Sequence, residues 1–399
     1  MKNGTIVFAP ATFNLAETSR MVEIAKELRS DFDCQFFGYS VKFSKLITDN
    51  NFQFQLCTPV LSEKEIEQIM ALDQMKGIKN PFNKQMVEMR VRNELELLTK
   101  LKPKMILTGT NLTIFLSARI AKIPLTYVKP YALSVPYYIE KMKNKGHWID
   151  FLITRVKWIP RSFKEVANQY KLQLPQRTLE LLEGDYNMIT TSELFYDAKS
   201  LPANYFPVGP IYAKLDEQLS TEILDFISTA KKKQKKLIYF AAGSSGNRNF
   251  VKNILHVLTK QNFYVIAPVN IYFTVDDKKE YNNNILCCDW LPAHLVSRAV
   301  DFSVIHGGEG TVQTACDSGK PFIGFGLQME QKINLSYCEN YGNAIQLKKS
   351  QVNSKIFKKA LKDIQSQQYL QKAEELEKSI EGSGTKKASN LIKQLIRGV

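Results

Sequence analysis

Histidine is scarce in this chain: there are four in 399 residues, and none precedes His147. A histidine base contributed by the first 146 residues is therefore excluded. The six cysteines (Cys34, Cys57, Cys287, Cys288, Cys316, Cys338) form no C-x-x-C pair and have no histidine nearby in sequence. That pattern signals neither a zinc site nor a disulfide framework, and the thiols read as buried or idle. No stretch reaches the roughly 18 consecutive apolar residues of a membrane-spanning helix. The early apolar run Ile6-Val7-Phe8 is too short for a signal peptide, so the chain is expected to be cytoplasmic. Neither a solenoid-period repeat nor a long low-complexity segment is present.

What is present suits two ordinary hydrophobic cores: 44% apolar residues, 11% aromatics and a length beyond what one core usually supports. The formal net charge is +15, which fits nucleic acid, an anionic membrane surface or lysine-rich usage. No nucleic-acid motif accompanies it. The densest run, Lys231 to Lys236, precedes a strand and reads as a solvated linker. From Tyr137 to Lys164, basic residues interleave with Trp148, Phe151, Leu152, Ile153, Val156, Trp158 and Ile159. That mixture suits a membrane interface, a greasy acceptor pocket or an amphipathic helix pair packed on the first domain.

Strand-like runs alternate with helix-period runs twice over. Thr5–Ala9 is followed by helical spacing at Met21, Val22, Ile24, Ala25 and Leu28, then come strands at Cys34–Tyr39, Lys104–Thr108 and Leu125–Val128. The pattern restarts at Leu237–Ala241, with a turn at Ser244-Ser245-Gly246, a helix at Asn249–Lys260 and a strand at Phe263–Ala267. Such alternation implies two doubly wound α/β domains with parallel sheets. The expected division is 1–205, a Pro- and Gly-rich linker at 206–214, 215–385, and a last helix at 386–399 that could cross back onto the first domain.

In open parallel sheets, ligands sit beyond the carboxyl ends of the strands, where free N–H groups at helix starts attract phosphate. The loop after the strand Phe302–Ile305 is His306-Gly307-Gly308-Glu309-Gly310-Thr311, with a helix expected from about Val312 to Ser318. Its glycines let a diphosphate approach the backbone, Thr311 offers a hydroxyl and His306 a ring N–H. Asp289-Trp290-Leu291-Pro292 stands upstream, and Glu330-Gln331 followed by Asn334 stands downstream.

This ordered set resembles the nucleotide-sugar signature of family 1 glycosyltransferases, whose two Rossmann-like domains face each other across a cleft in the fold called GT-B. The tight match covers Trp290 to Asn334, and looser likeness runs through Gly209-Pro210 and Gly243-Ser244-Ser245. The resemblance implies Trp290 as the platform for uracil or thymine. It implies His306, Gly308, Gly310 and Thr311 as diphosphate ligands, with Ser244 and Ser245 against the phosphates, and Glu330 and Gln331 as holders of the sugar hydroxyls. Two positions depart from the family: Ala293 stands where a glutamine is frequent, and Thr314 where a glutamate contacts the ribose. The acidic pair reads Glu-Gln rather than the commoner Asp-Gln.

Family members usually carry a histidine base in the loop after the first strand, and counting back from Ile24-Ala25 lands on Glu17. Two readings stand for that residue. A carboxylate there is a general base in members that resemble this one. Alternatively, Asn14-Leu15-Ala16-Glu17 fits a capping box, with Asn14 as cap. The aspartate that commonly orients the histidine would be sought near Thr108 to Thr110, where none occurs. Asp31-Phe32-Asp33 matches a metal-binding pattern of other glycosyltransferases but falls between a helix and a strand, and reads as surface. No metal and no cofactor are called for.

The resemblance thus implies an inverting, metal-independent hexosyltransferase that uses a UDP- or dTDP-sugar as co-substrate and a small, fairly apolar acceptor. Two alternatives stand beside it: a lipid glycosyltransferase at the membrane surface, docking through 137–164, and a non-catalytic partner that keeps the nucleotide site without a base.

Overall fold

The computed structural model describes residues 2–73, 80–143, 157–212, 218–243, 246–273, 284–380 and 384–398. The chain divides into two units: Met1–Ile211 with Gly382–Val399, and Tyr212–Glu381.

The first unit holds strands β1 (Thr5–Phe8), β2 (Asp33–Gly38), β3 (Gln53–Leu56), β4 (Met105–Thr108), β5 (Leu125–Lys129), β6 (Tyr186–Ile189) and β7 (Tyr205–Pro207). Its helices are α1 (Leu15–Leu28), α2 (Ser44–Asp49), α3 (Glu63–Asp73), α4 (Lys84–Leu101), α5 (Thr113–Ile120), α6 (Val135–Lys143) and α7 (Arg161–Gln169). The strand order is β3-β2-β1-β4-β5-β6-β7, with all neighbours parallel. A parallel sheet is covered on both faces, which is why β1 reads as an unbroken apolar run. Ile6 and Phe8 pack with Met21, Ile24 and Leu28 of α1. Val7, pointing the other way, packs with Leu97 and Leu98 of α4 and Ile114 of α5.

The second unit holds α8 (Thr221–Lys232), β8 (Leu237–Ala241), α9 (Arg248–Lys260), β9 (Tyr264–Ala267), β10 (Ile285–Cys287), α10 (Ala293–Ala299) and β11 (Phe302–Ile305). It continues with α11 (Glu309–Asp317), β12 (Phe322–Phe325), α12 (Met329–Tyr341), β13 (Ala344–Leu347), α13 (Lys355–Asp363) and α14 (Gln367–Ser379). The sheet order is β10-β9-β8-β11-β12-β13, again all parallel. Ile238 and Phe240 of β8 pack with Phe250, Ile254 and Leu258 of α9 and with Phe357 and Leu361 of α13.

In each sheet the order reverses between the first strand and the fourth, β1 beside β4 and β8 beside β11. Such a switch point leaves a crevice outside the carboxyl ends of those two strands.

Two details differ from the sequence expectation, and a third concerns the last helix. The segment read as a linker from residue 206 belongs in part to β7, and the division falls between Ile211 and Tyr212. Pro207 is tolerated there because β7 is an edge strand. The helix after the histidine-glycine loop starts at Glu309 rather than Val312, with Gly308 as its N-cap. Finally, α15 (Gly384–Gly398) groups with the first unit, where Ala388 and Ile392 join the cluster that contains Met21 and Leu28. Its Lys393 Nζ lies 2.7 Å from Asp31 Oδ2, so the first carboxylate of Asp31-Phe32-Asp33 carries an ion pair. No cluster of metal-ligating side chains occurs among the described residues.

Candidate functional site

The groups singled out in the second unit line one edge of its sheet, because every strand there is parallel and each loop in question follows a strand's carboxyl end. Trp290 follows β10 and is 52% exposed, while its neighbour Leu291 is buried and anchors the turn. An exposed indole on an anchored loop is a stacking surface left open. Gly243 follows β8, and Ser244 and Ser245, next in the chain, lie outside the described residues.

His306 follows β11 and is buried at the switch point, its backbone N–H donating to Ala241 O of β8 at 3.0 Å. The ring's Nδ1 also lies 3.2 Å from Ala241 O. A carbonyl only accepts, so Nδ1 carries the hydrogen and donates. Burial holds the imidazole at about 4, with the Ala241 bond opposing. The neutral ring thus presents an unprotonated Nε2. The ring N–H is thus engaged by Ala241 O, and an Nε2 contact to an anion needs a second proton. Gly243 (φ +58°) and Gly308 both abut the ring, and a Cβ at either would run into it.

The start of α11 offers backbone N–H groups suited to an anion. Gly308 caps it without any side-chain hydrogen bond. The first N–H groups of such a helix lack intrahelical partners and attract anions. A Cβ placed on Gly310 would meet nothing within 4 Å, so open space lies before this turn. Thr311 is half-buried in the same turn.

After β12, the two members of the acidic-glutamine pair diverge. Gln331 is buried; its Oε1 accepts from Leu327 N at 3.0 Å and Gln328 N at 3.2 Å, while its Nε2 donates to Gln328 Oε1. That side chain caps α12 in a reciprocal box. Glu330 is half-buried, and its Oε1 accepts from Asn334 Nδ2 at 2.5 Å. Asn334 Nδ2 also reaches Gly307 O at 3.3 Å, tying α12 to the histidine-glycine loop. Thr314, at the family's ribose position, donates its hydroxyl to Gly310 O at 2.7 Å.

In the first unit Glu17 occupies the corresponding switch point. Only 3% exposed, its carboxylate bridges the loops after β1 and β4. Oε1 accepts from Ala11 N at 2.8 Å and from Gly109 N and Thr110 N at 3.0 Å each. Oε2 accepts from Thr110 Oγ1 at 2.6 Å. Asn14 does cap α1, accepting from Glu17 N at 3.2 Å. The carboxylate, however, reaches across the sheet edge to 109–110 rather than back to Asn14 N, so the reciprocal half of the capping box is absent. A side chain at Gly109 would collide with the Glu17 carboxyl carbon, which accounts for the glycine. Sequence reasoning missed Thr110, although a hydroxyl directly after a buried strand, across from the first loop, was the available signal.

Just beneath this edge lies a buried polar cluster. Glu94 of α4 accepts from Tyr39 Oη at 2.8 Å, Thr113 Oγ1 at 2.7 Å and Ser117 Oγ at 2.5 Å. Burial pushes its carboxyl up from the usual range. These bonds tie α4, α5 and the end of β2 to one another.

Comparison with known proteins agrees with this geometry. Residues 265–393 match the family model for the C-terminal domain of erythromycin biosynthesis protein CIII-like proteins. A PGL/p-HBAD biosynthesis glycosyltransferase of Mycobacterium tuberculosis (strain ATCC 25177 / H37Ra) is 22% identical over 390 residues, covering 90% of this chain and 85% of the relative. Among solved structures, the glycotransferase of kitacinnamycin superposes with a TM-score of 0.75 at 13% identity, over 99% of this chain and 100% of that one. The glycosyltransferase VinC in complex with dTDP superposes with a TM-score of 0.69 at 12% identity, over 98% and 99%. The signature from Trp290 to Asn334, the matched C-terminal domain and the two parallel-sheet α/β units support a family 1 glycosyltransferase of GT-B fold.

Proposed function

We propose that this glycosyltransferase moves a hexose from a UDP- or dTDP-sugar to a hydroxyl of a small, fairly apolar acceptor, with inversion and without a metal ion. The observation that carries the reading is the sequence of groups along one sheet edge. Exposed Trp290 stands beyond β10, the uncapped start of α11 with its open space stands beyond β11, and Glu330 stands beyond β12. That sequence follows the covalent order of base, diphosphate and sugar. The dTDP held by VinC and the natural-product context named for the relatives support the same donor and acceptor classes.

In this mechanism the acceptor hydroxyl loses its proton to Glu17 as its oxygen forms a bond to the anomeric carbon. The bond from that carbon to the diphosphate oxygen breaks, and the leaving charge is taken up by N–H groups of α11 and by Thr311, with the neutral His306 ring alongside. Ser244 and Ser245 are assigned to the phosphates. Glu330 accepts from sugar hydroxyls, and Gln331 fixes the start of α12 beside them. Within Glu17, Oε2 has one hydrogen-bond donor among the described residues against three on Oε1. It is the oxygen left to receive a proton. A Glu17→Gln enzyme keeps the shape and the acceptor for the three N–H groups. Its sugar transfer is expected to fall about 10²- to 10⁴-fold with UDP affinity unchanged; full turnover would remove Glu17 from the base role and favour a purely structural one.

A membrane-surface version has one observation in its favour. Ile139 and Trp158, near the two ends of the basic-aromatic stretch, are 42% and 54% exposed. Trp148, Phe151, Leu152, Ile153 and Val156 lie outside the described residues, and no described helix is long and apolar enough to cross a membrane. Sedimentation with anionic phospholipid vesicles at low salt should carry the protein down if acceptors are taken from a lipid surface. A protein left in the supernatant contradicts that version.

A further inference from the structure

We infer that the turn at Asn270–Tyr272 is the ribose-recognition element of the donor site, with the Asn270 side-chain amide as the group that accepts a ribose hydroxyl. The inference rests on the reading above of Trp290 as the base platform and α11 as the phosphate end.

The first argument is positional. In the order β10-β9-β8-β11, Trp290 follows β10 and the phosphate-side loops follow β8 and β11. Between β10 and β8 stands β9. Neighbouring strands are about 4.8 Å apart, so the base platform lies about 10 Å from the loop after β8 and about 14 Å from the start of α11, and the sugar ring, which is bonded to the base, falls over the end of β9. What stands there is the single 3₁₀ turn Asn270–Tyr272.

The second argument is that this turn is tied to both neighbours. Asn270 N donates to Cys288 O at 3.2 Å, two residues before Trp290. On its other side the Tyr272 hydroxyl donates to Gly243 O and lies 3.0 Å from where a Cβ on Gly246 would stand. One turn therefore links the stacking loop to the phosphate loop. Between these ties Ile271 is left 72% exposed.

The third argument is chemical. Asn270 is half-buried, and its Oδ1 is enclosed with no hydrogen-bond donor among the described residues. Enclosed carbonyl oxygens normally have a donor. The terminal torsion of asparagine is broad, so turning the amide toward an arriving hydroxyl costs little. At the position where relatives contact the ribose, Thr314 is short, buried and bonded to Gly310 O. The ribose contact has thus moved from α11 to the turn after β9.

The test is calorimetric titration of the full chain with UDP, 2′-deoxy-UDP and 3′-deoxy-UDP, for the wild type, Asn270→Ala, Asn270→Asp and Trp290→Ala. The wild type should bind one deoxy analogue roughly three- to tenfold more weakly than UDP, the effect of one neutral hydrogen bond. Asn270→Ala should abolish that difference, and Asn270→Asp, which keeps an acceptor, should retain it. A wild type blind to both missing hydroxyls, or an Asn270→Ala protein that still discriminates, overturns the inference. Failure of the underlying donor reading looks different: UDP does not bind, or binds Trp290→Ala as tightly as the wild type. A thermal midpoint near that of the wild type for Asn270→Asp shows that the turn still folds, so the comparison stands even if Asn270→Ala does not.

Discussion

His306 is the residue whose surroundings most alter its chemistry, and this has a consequence for stability. Burial lowers its imidazole from 6.5 to about 4 in the folded chain. Between those values the unfolded chain binds a proton that the folded chain refuses, so stability falls as the pH falls through that window. The contribution is fully present above pH 6.5 and is lost on approach to pH 4. By pH 5 the wild type should have lost about 2 kcal/mol relative to pH 7 on this account, and His306→Asn should lose correspondingly less. Urea unfolding at the two pH values measures the difference; equal losses in both proteins would contradict the buried neutral ring. Glu17 shows what local sequence conveys at this scale. Counting from the helix pair Ile24-Ala25 finds the residue, but its four bonds come from Ala11, Gly109 and Thr110, and the last two are more than ninety residues away. Those partners are brought close only by β1 pairing with β4, and nothing in the residues around Glu17 encodes that pairing.

At the scale of elements, strands and helices that bury continuous or periodic apolar faces were legible, as β1, α1, β8 and α9 show. Where chemistry replaces periodicity, the boundary moved. Helix α11 begins in the glycine loop itself, three residues before the apolar pattern starts, because its opening turn presents N–H groups rather than side chains to its surroundings. The edge strand β7 was hidden by its proline. The two glycines of the phosphate end allow these roles to be separated. Gly310→Ala places a methyl group in open space on a helical turn, so stability should be kept or raised by up to about 1 kcal/mol, while UDP affinity should fall on the proposal that phosphate occupies that space. Gly243→Ala meets both a left-handed backbone and the His306 ring, and should cost roughly 1–3 kcal/mol of stability. Thermal unfolding and UDP titration of the pair check this. A Gly310→Ala protein with wild-type affinity would move the diphosphate away from α11.

At the scale of the whole molecule, two sheets of like order each place a charged or titratable side chain at the switch point: Glu17 across β1 and β4, His306 across β11 and β8. The alternation of strands and helices made two doubly wound units legible. The strand order, which turns a scattered list of residues into a base-to-sugar sequence along one edge, was not, because parallel neighbours are joined by long crossovers and their order depends on packing over the whole unit. The claim that this edge receives a nucleoside diphosphate is tested most directly by titrating UDP and dTDP into the full chain and into Trp290→Ala. The account expects saturable binding of at least one nucleotide to the wild type, weakened about ten- to hundredfold by removal of the stacking indole. No binding of either nucleotide to the wild type, or equal binding to both proteins, would contradict it.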